Sequence, residues 1–281
     1  MKTNLIIIGL LLSSTTAFAG RGGSTTLIKS AVESGSADAI VAEIERAEEL
    51  ACLSCIEPVK ALVDHPSERV RDVAGWWLGR RGVRDEVIAD MKARLSAQDP
   101  TAARNAASVL GAMRDFSTLP ALSAYLANPL DEESGMAAAK AIGNIGHPTA
   151  LAALKAGFGS PLAGVRAASL QAVRELRAPV GQHAVTDSQS LVPLFTDASD
   201  VVRRQAAITA GFVQDRAGVS ALALLVTGDP SALVRKAAAW AIGQIGADVQ
   251  GGAGTAALTA ALNDSDPLVR SVANGALGRL K

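Results

Sequence analysis

The sequence predicts an all-α protein built as a solenoid of about seven stacked helix pairs. Three observations carry that prediction. One helical pattern returns seven times at nearly constant spacing. A second apolar helical pattern, often entered through Pro, falls between successive copies. The composition, 49% hydrophobic but only 3% aromatic, offers Ala, Leu, Val and Ile for closely approaching helices rather than bulk for a thick core.

The first residues read as a targeting segment. Lys2 gives a positive start, Leu5 to Leu12 is apolar apart from Gly9, and Ala17-Phe18-Ala19 fits a small-x-small cleavage site. The apolar run falls short of the roughly 20 residues that span a bilayer. Residues 1–19 are therefore expected to be a cleaved signal peptide, cut after Ala19, leaving a periplasmic or secreted chain with no membrane insertion. Residues 20–50 are expected to form a linker and capping helix, and residues 51–281 the solenoid.

Within the solenoid the clearest copies run Val70–Gly79, Val202–Gly211, Val234–Gly243 and Val269–Gly278. Weaker ones run Ala102–Gly111, Ser134–Gly143 and Val165–Arg174. Their last positions are spaced by 32, 32, 31, 37, 32 and 35 residues, a period that marks a stacked repeat array. Between them lie segments such as Leu119 to Leu126, Leu191 to Phe195 and Thr255 to Leu262. The dipeptides Asp99-Pro100, Asn128-Pro129, Ser160-Pro161, Asp229-Pro230 and Asp266-Pro267 pair a capping residue with Pro and are expected to start the second helix of each pair.

The seven copies can be compared column by column. Counting from the Arg position (71, 103, 135, 166, 203, 235, 270), the residue three places on is always small: Ala74, Ala106, Ala138, Ser169, Ala206, Ala238 and Ala273. One place before and seven places after are mostly or wholly apolar. These columns share one helix face, expected to be the buried one. Five places after Arg the column reads Trp76, Ser108, Lys140, Gln171, Ile208, Trp240 and Gly275, about 200° from the Ala column and so expected to point away from the core.

A Pro-containing first helix followed by Val-Arg-x-x-Ala-x-x-Ala-Ile-Gly resembles the HEAT repeat, in the short form also found in phycobilin lyases. The resemblance covers roughly residues 53 to 281. It implies a right-handed α-α superhelix of the HEAT/armadillo kind, with the second helices lining the concave side, used mainly as a binding scaffold. Trp76, Lys140, Gln171, Ile208 and Trp240 then become the candidate protein-binding positions. Trp buries much surface and offers an N–H, which suits an interface. Covering within the chain, by segment 25–50 over Trp76 or by a loop over Trp240, stays open as the other reading.

Arg71, Arg166, Arg203, Arg235 and Arg270 are expected to bridge adjacent repeats through loop acids, among them Asp200 and Asp266, rather than to form a basic track. Lys plus Arg and Asp plus Glu are both 27, and removing the leader removes only Lys2. That balance, with export, argues against nucleic acid, which wants a basic stripe. Cys52 and Cys55 are the only cysteines; an oxidising compartment makes a disulfide the default, with a redox-active pair or free thiols as alternatives. Ile56 stands where covalent haem attachment needs His. His65, His147 and His183 are scattered, so no metal site and no cofactor are expected.

The sequence contains no repeated His-Glu pairs and no visible catalytic cluster, so the chain is expected not to be an enzyme. A redox-linked accessory using the Cys pair, or an enzyme accessory resembling the bilin lyases, is the alternative. Segment 178–190 is an insertion, and the Gly-rich run 247–254 lacks the Lys-Ser/Thr ending of a phosphate loop and is expected to be a connector. No polar capping helix is visible beyond Leu280, so the last repeat is expected to dock on something.

Overall fold

A computed structural model of the chain describes residues 23–176, 191–246 and 252–280. The expected leader, the insertion at 178–190 and residues 247–251 of the Gly-rich run lie outside the described residues. All regular structure among those described is helical.

Seven helices carry the repeated motif: Glu68–Leu78, Pro100–Met113, Glu132–Ile145, Ala163–Glu175, Asp200–Phe212, Ala232–Ile245 and Pro267–Arg279. Each packs on the next, and together they make the inner layer of an α-solenoid superhelix. An outer helix precedes each of them. These are Ile56–Lys60 continued by a 3-10 turn at Ala61–Asp64, then Arg84–Leu95, Leu119–Ala127, Ala150–Phe158, a 3-10 turn at Val192–Thr196, Val219–Gly228 and Ala253–Ala261. Seven pairs result. Two further helices, Thr25–Ser34 and Ala37–Arg46, stand ahead of the first pair.

The core follows the columns. Ala74, Ala106, Ala138, Ser169, Ala206, Ala238 and Ala273 are all fully buried, as are Val70, Val165, Val202, Val234 and Val269. Small residues there let inner helices meet backbone to backbone. The motif's terminal glycine makes the contact: a Cβ on Gly111 would lie 2.7 Å from Ala141 Cα, and one on Gly211 would lie 2.7 Å from Ala241 Cα and 2.8 Å from Trp240 Cζ3. Outer helices instead bury Leu, Val and Tyr side chains such as Leu122, Tyr125, Leu154, Leu222 and Val226 between them. Close spacing inside and bulky spacing outside curve the stack, with the inner helices on the concave side. Lys140 Nζ on the third inner helix reaches Glu68 Oε1 on the first at 3.0 Å, across the second.

Two of the five Pro dipeptides start inner helices. Asp99 accepts from Thr101 N–H at 2.8 Å and Asp266 from Leu268 N–H at 2.8 Å, each with Pro in the first helical position. At Asn128-Pro129, Ser160-Pro161 and Asp229-Pro230 the helix begins later, at Glu132, Ala163 and Ala232. There a turn comes first: Ser160 Oγ accepts from Leu162 N–H and Asp229 Oδ1 from Ser231 N–H, while Asp131 takes over as cap of the third inner helix. A short polar side chain that bonds two residues ahead holds the backbone out of the helix for one more turn.

Cys52 and Cys55 form a disulfide with a Cα–Cα distance of 5.3 Å. Both residues are buried, Cys55 completely, in the contact between the first two helices and the array.

Candidate interaction groove

The inner helices place the five candidate positions on one continuous face. Lys140 and Gln171 line a hollow of about 400 Å³ over the first four inner helices. Ile208 and Trp240 line a second, of about 580 Å³, over the last four. Trp76 lines a third, beside the N-terminal helices, with Val41, Glu45 and Asp72.

Exposure along this face is uneven. Lys140 and Gln171 are exposed, while Trp76, Ile208 and Trp240 are half-buried. Ser108, in the same column, is 6% exposed, against the expectation that the whole column points away from the core. The cause is Arg71, whose Nη2 donates to Ser108 Oγ at 3.4 Å and lies over it. Arg80 sits 4.4 Å from the centre of the Trp76 ring, so part of that indole is covered from within the chain. The indole of Trp240 donates its Nε1–H to Gln244 at 3.2 Å once the Gln244 amide is turned so that its oxygen faces Trp240 and Arg279. Its N–H is therefore already used, and what it offers a ligand is its apolar face.

A second column on the groove was missed by the sequence comparison. One place after the Arg position stand Asp72, Arg104, Met136, Ala167, Arg204, Lys236 and Ser271. Six of these line the hollows. The signal was available: the column lies four residues before the one containing Trp76 and Trp240, hence on the same helix face.

The Arg column does not track along the groove surface. Arg166 bonds both oxygens of Asp197 at 2.7 and 2.8 Å, Arg203 both of Asp229 at 2.7 and 3.0 Å, and Arg235 both of Asp264 at 2.7 and 2.9 Å. The same arginines donate back to carbonyls in the loop before their own helix: Ser160, Asp197 and Asp229. Each acid thus joins two repeats, its carboxylate to one and its carbonyl to the next. The acids are Asp197, Asp229 and Asp264, not Asp200 or Asp266; Asp266 is occupied as a helix cap. Among the described residues Arg71 and Arg270 meet no carboxylate. Arg71 donates to the carbonyls of His65 and Pro66, and Arg270 to those of Asp264 and Ser265.

Asp72 has an altered acidity. Burial, helped by the nearby Glu68, raises its carboxyl from 3.8 to about 6, while Lys140 and Arg71 oppose the rise. A folded value above the unfolded one adds stability that is complete below the unfolded value and is lost as pH rises through the folded one. At neutral pH the ionised carboxylate therefore costs stability. The full displacement corresponds to at most about 3 kcal/mol, and water access to a half-buried group reduces this to about 1–2 kcal/mol. Asp72→Asn is expected to gain that amount in denaturant unfolding at pH 7.5 and to match the wild type near pH 4. Equal stability at both pH values would mean the carboxylate is well solvated.

Among the described residues no three His, Cys, Asp or Glu side chains gather as metal ligands, and no helix is long and apolar enough to cross a membrane.

The sequence profile of the family described as HEAT repeats matches residues 56–134, 88–174 and 188–278. No curated protein matches the chain. Among solved structures, human deoxyhypusine hydroxylase in complex with glycerol is 18% identical, with a TM-score of 0.37 over 90% of this chain and 95% of that one. An engineered protein is 21% identical, with a TM-score of 0.49 over 80% of this chain and 96% of its own. The complex of CpcE and CpcF of phycocyanin lyase, from a Nostoc species, is 22% identical, with a TM-score of 0.40 over 80% and 94%.

Proposed function

We propose that this chain, which belongs to the HEAT-repeat family, is a non-enzymatic scaffold that holds a partner protein along its concave face outside the cytoplasm. The observation that carries this is the continuity of the groove: two hollows follow one another over the seven inner helices, lined by side chains that vary in charge and size from copy to copy while the buried Ala column stays small. A continuous face of varied side chains on a repeated packing frame is what a stacked array offers a ligand. Export is supported by the leader-like start at Lys2 to Ala19 and by the disulfide, which persists in oxidising compartments. Burial of both cysteines favours a structural over a redox-active pair, because exchange requires a partner thiolate to reach sulfur.

Site-specific photo-crosslinking in the native host tests the proposal. A photoreactive residue at Gln171 or Ser271, both on the groove, is expected to capture a discrete partner. The same residue at Glu86 or Leu224, exposed on outer helices, is expected not to. Identical captures from both faces, or none from the groove, would refute a concave-face scaffold.

A further inference from the structure

The two hollows of the groove differ in charge. The N-terminal one sets Arg71, Arg104 and Lys140 against Glu68, Glu133 and Glu175. It neutralises itself, with Lys140 on Glu68 and Arg104 on Glu133, each at 3.0 Å. The C-terminal one has an apolar floor that includes Ile208, Trp240 and Val272, a rim of Arg174, Arg204 and Lys236, and no acid among the described residues of its lining. Since acids and bases balance over the whole chain, this excess is local.

Arg174 is the irregular member. It occupies the motif's last position, which is glycine in the other six copies. Where Gly111, Gly143, Gly211 and Gly243 let neighbouring inner helices touch, Arg174 reaches across to Thr209 Oγ1 at 3.0 Å and sets a guanidinium at the seam. Arg204 and Lys236 form no ion pair among the described residues.

We infer that this hollow takes a segment of a partner protein in which apolar side chains alternate with carboxylates. The floor of Ile208, Trp240 and Val272 matches an aliphatic or aromatic side chain, and the three cations match flanking carboxylates, with Arg suited to bidentate recognition. The inference rests on the proposed scaffold function and narrows it to one class of sequence.

Fluorescence anisotropy with two short fluorescein-labelled peptides tests it, one alternating Leu with Asp and the other Leu with Lys. The acidic peptide is expected to bind the full chain at least about tenfold more tightly, a difference of about 1.4 kcal/mol. Arg204→Glu/Lys236→Glu, with helical content unchanged by circular dichroism, is expected to abolish that preference, while Arg204→Lys/Lys236→Arg keeps most of it. A peptide alternating Ser with Asp is expected to bind weakly, for want of a group to fill the floor. Equal binding of the two Leu peptides, no binding of the acidic one, or a preference untouched by charge reversal would overturn the inference. If groove crosslinks from Gln171 and Ser271 persist in that event, the scaffold stands and only its acidic-apolar specificity falls.

Discussion

Trp77→Ala is expected to lower stability by about 4 kcal/mol, with the loss concentrated at the N-terminal end. The residue is fully buried, and removing a buried Trp typically costs about 3–5 kcal/mol through lost transfer energy and the cavity left behind. Here the side chain also acts as a latch. Its Nε1 donates to Ala47 O at 3.1 Å, and Arg81, stacked 4.2 Å from the ring centre, donates to the carbonyls of Ala47, Glu48 and Leu50. Four hydrogen bonds therefore tie the turn after the second helix to the end of the first inner helix and the turn that follows it. In a linear array each unit feels only its neighbours. Amide hydrogen exchange is expected to quicken by more than about tenfold over residues 25–46 and to change little over residues 219–279. Trp77→Phe keeps most of the buried area and is expected to lose only about 1–2 kcal/mol. Uniform acceleration along the chain would mean that the array unfolds as one cooperative block.

The contrast between Trp77 and its neighbour Trp76 shows what the sequence could and could not reveal. Helical periodicity separates them, placing one inward and the other on the groove, and the same arithmetic located all seven inner helices and their buried columns. Seven copies in one chain made this legible, because packing constraints repeat. What stayed hidden depends on exceptions. Ala97 stands where later copies have a ladder acid, so Arg71 has no carboxylate and turns onto Ser108, burying a position that periodicity alone leaves open. Arg174 read as a weak last residue of a weak copy, and only the packing makes it a guanidinium in a seam. The ladder acids themselves were legible but overlooked: Asp197, Asp229 and Asp264 each lie six residues before the next Arg, while His65, Ala97, Pro129 and Ser160 fill that place in the first four copies.

That ladder gives the second large effect. Asp229→Ala is expected to cost about 3 kcal/mol, chiefly because it strands Arg203. The Asp229 side chain is 2% exposed and that of Arg203 13%, and removing one partner of a buried pair leaves the other charge without compensation. The same substitution deletes the acceptor for Ser231 N–H, which shapes the turn before the sixth inner helix. Asp229→Asn retains a single oxygen, able to accept from Ser231 N–H and Arg203 Nη2 but leaving Arg203 Nε without its acceptor, and is expected to lose about half as much. Arg203→Met removes the other partner but replaces it with apolar bulk, and is expected to cost less than Asp229→Ala if the stranded cation dominates. Were the two alanine and methionine variants equally damaged, the pair itself would be the source of stability. Acid should act on the link between Arg235 and Asp264. Arg235 holds the Asp264 carboxyl below its ordinary value, so its contribution is complete above the unfolded carboxylate value near 3.9 and fades as pH falls below it. The sign is opposite to that of Asp72. Lowering the pH from 7 towards 4 is therefore expected to relieve the N-terminal groove first, and only below about pH 4 to loosen the C-terminal repeats. Hydrogen exchange across that range, compared between residues 68–78 and 232–279, would separate the two responses. Simultaneous loosening of both segments above pH 4 would show that neither carboxylate sets the acid limit of its own half.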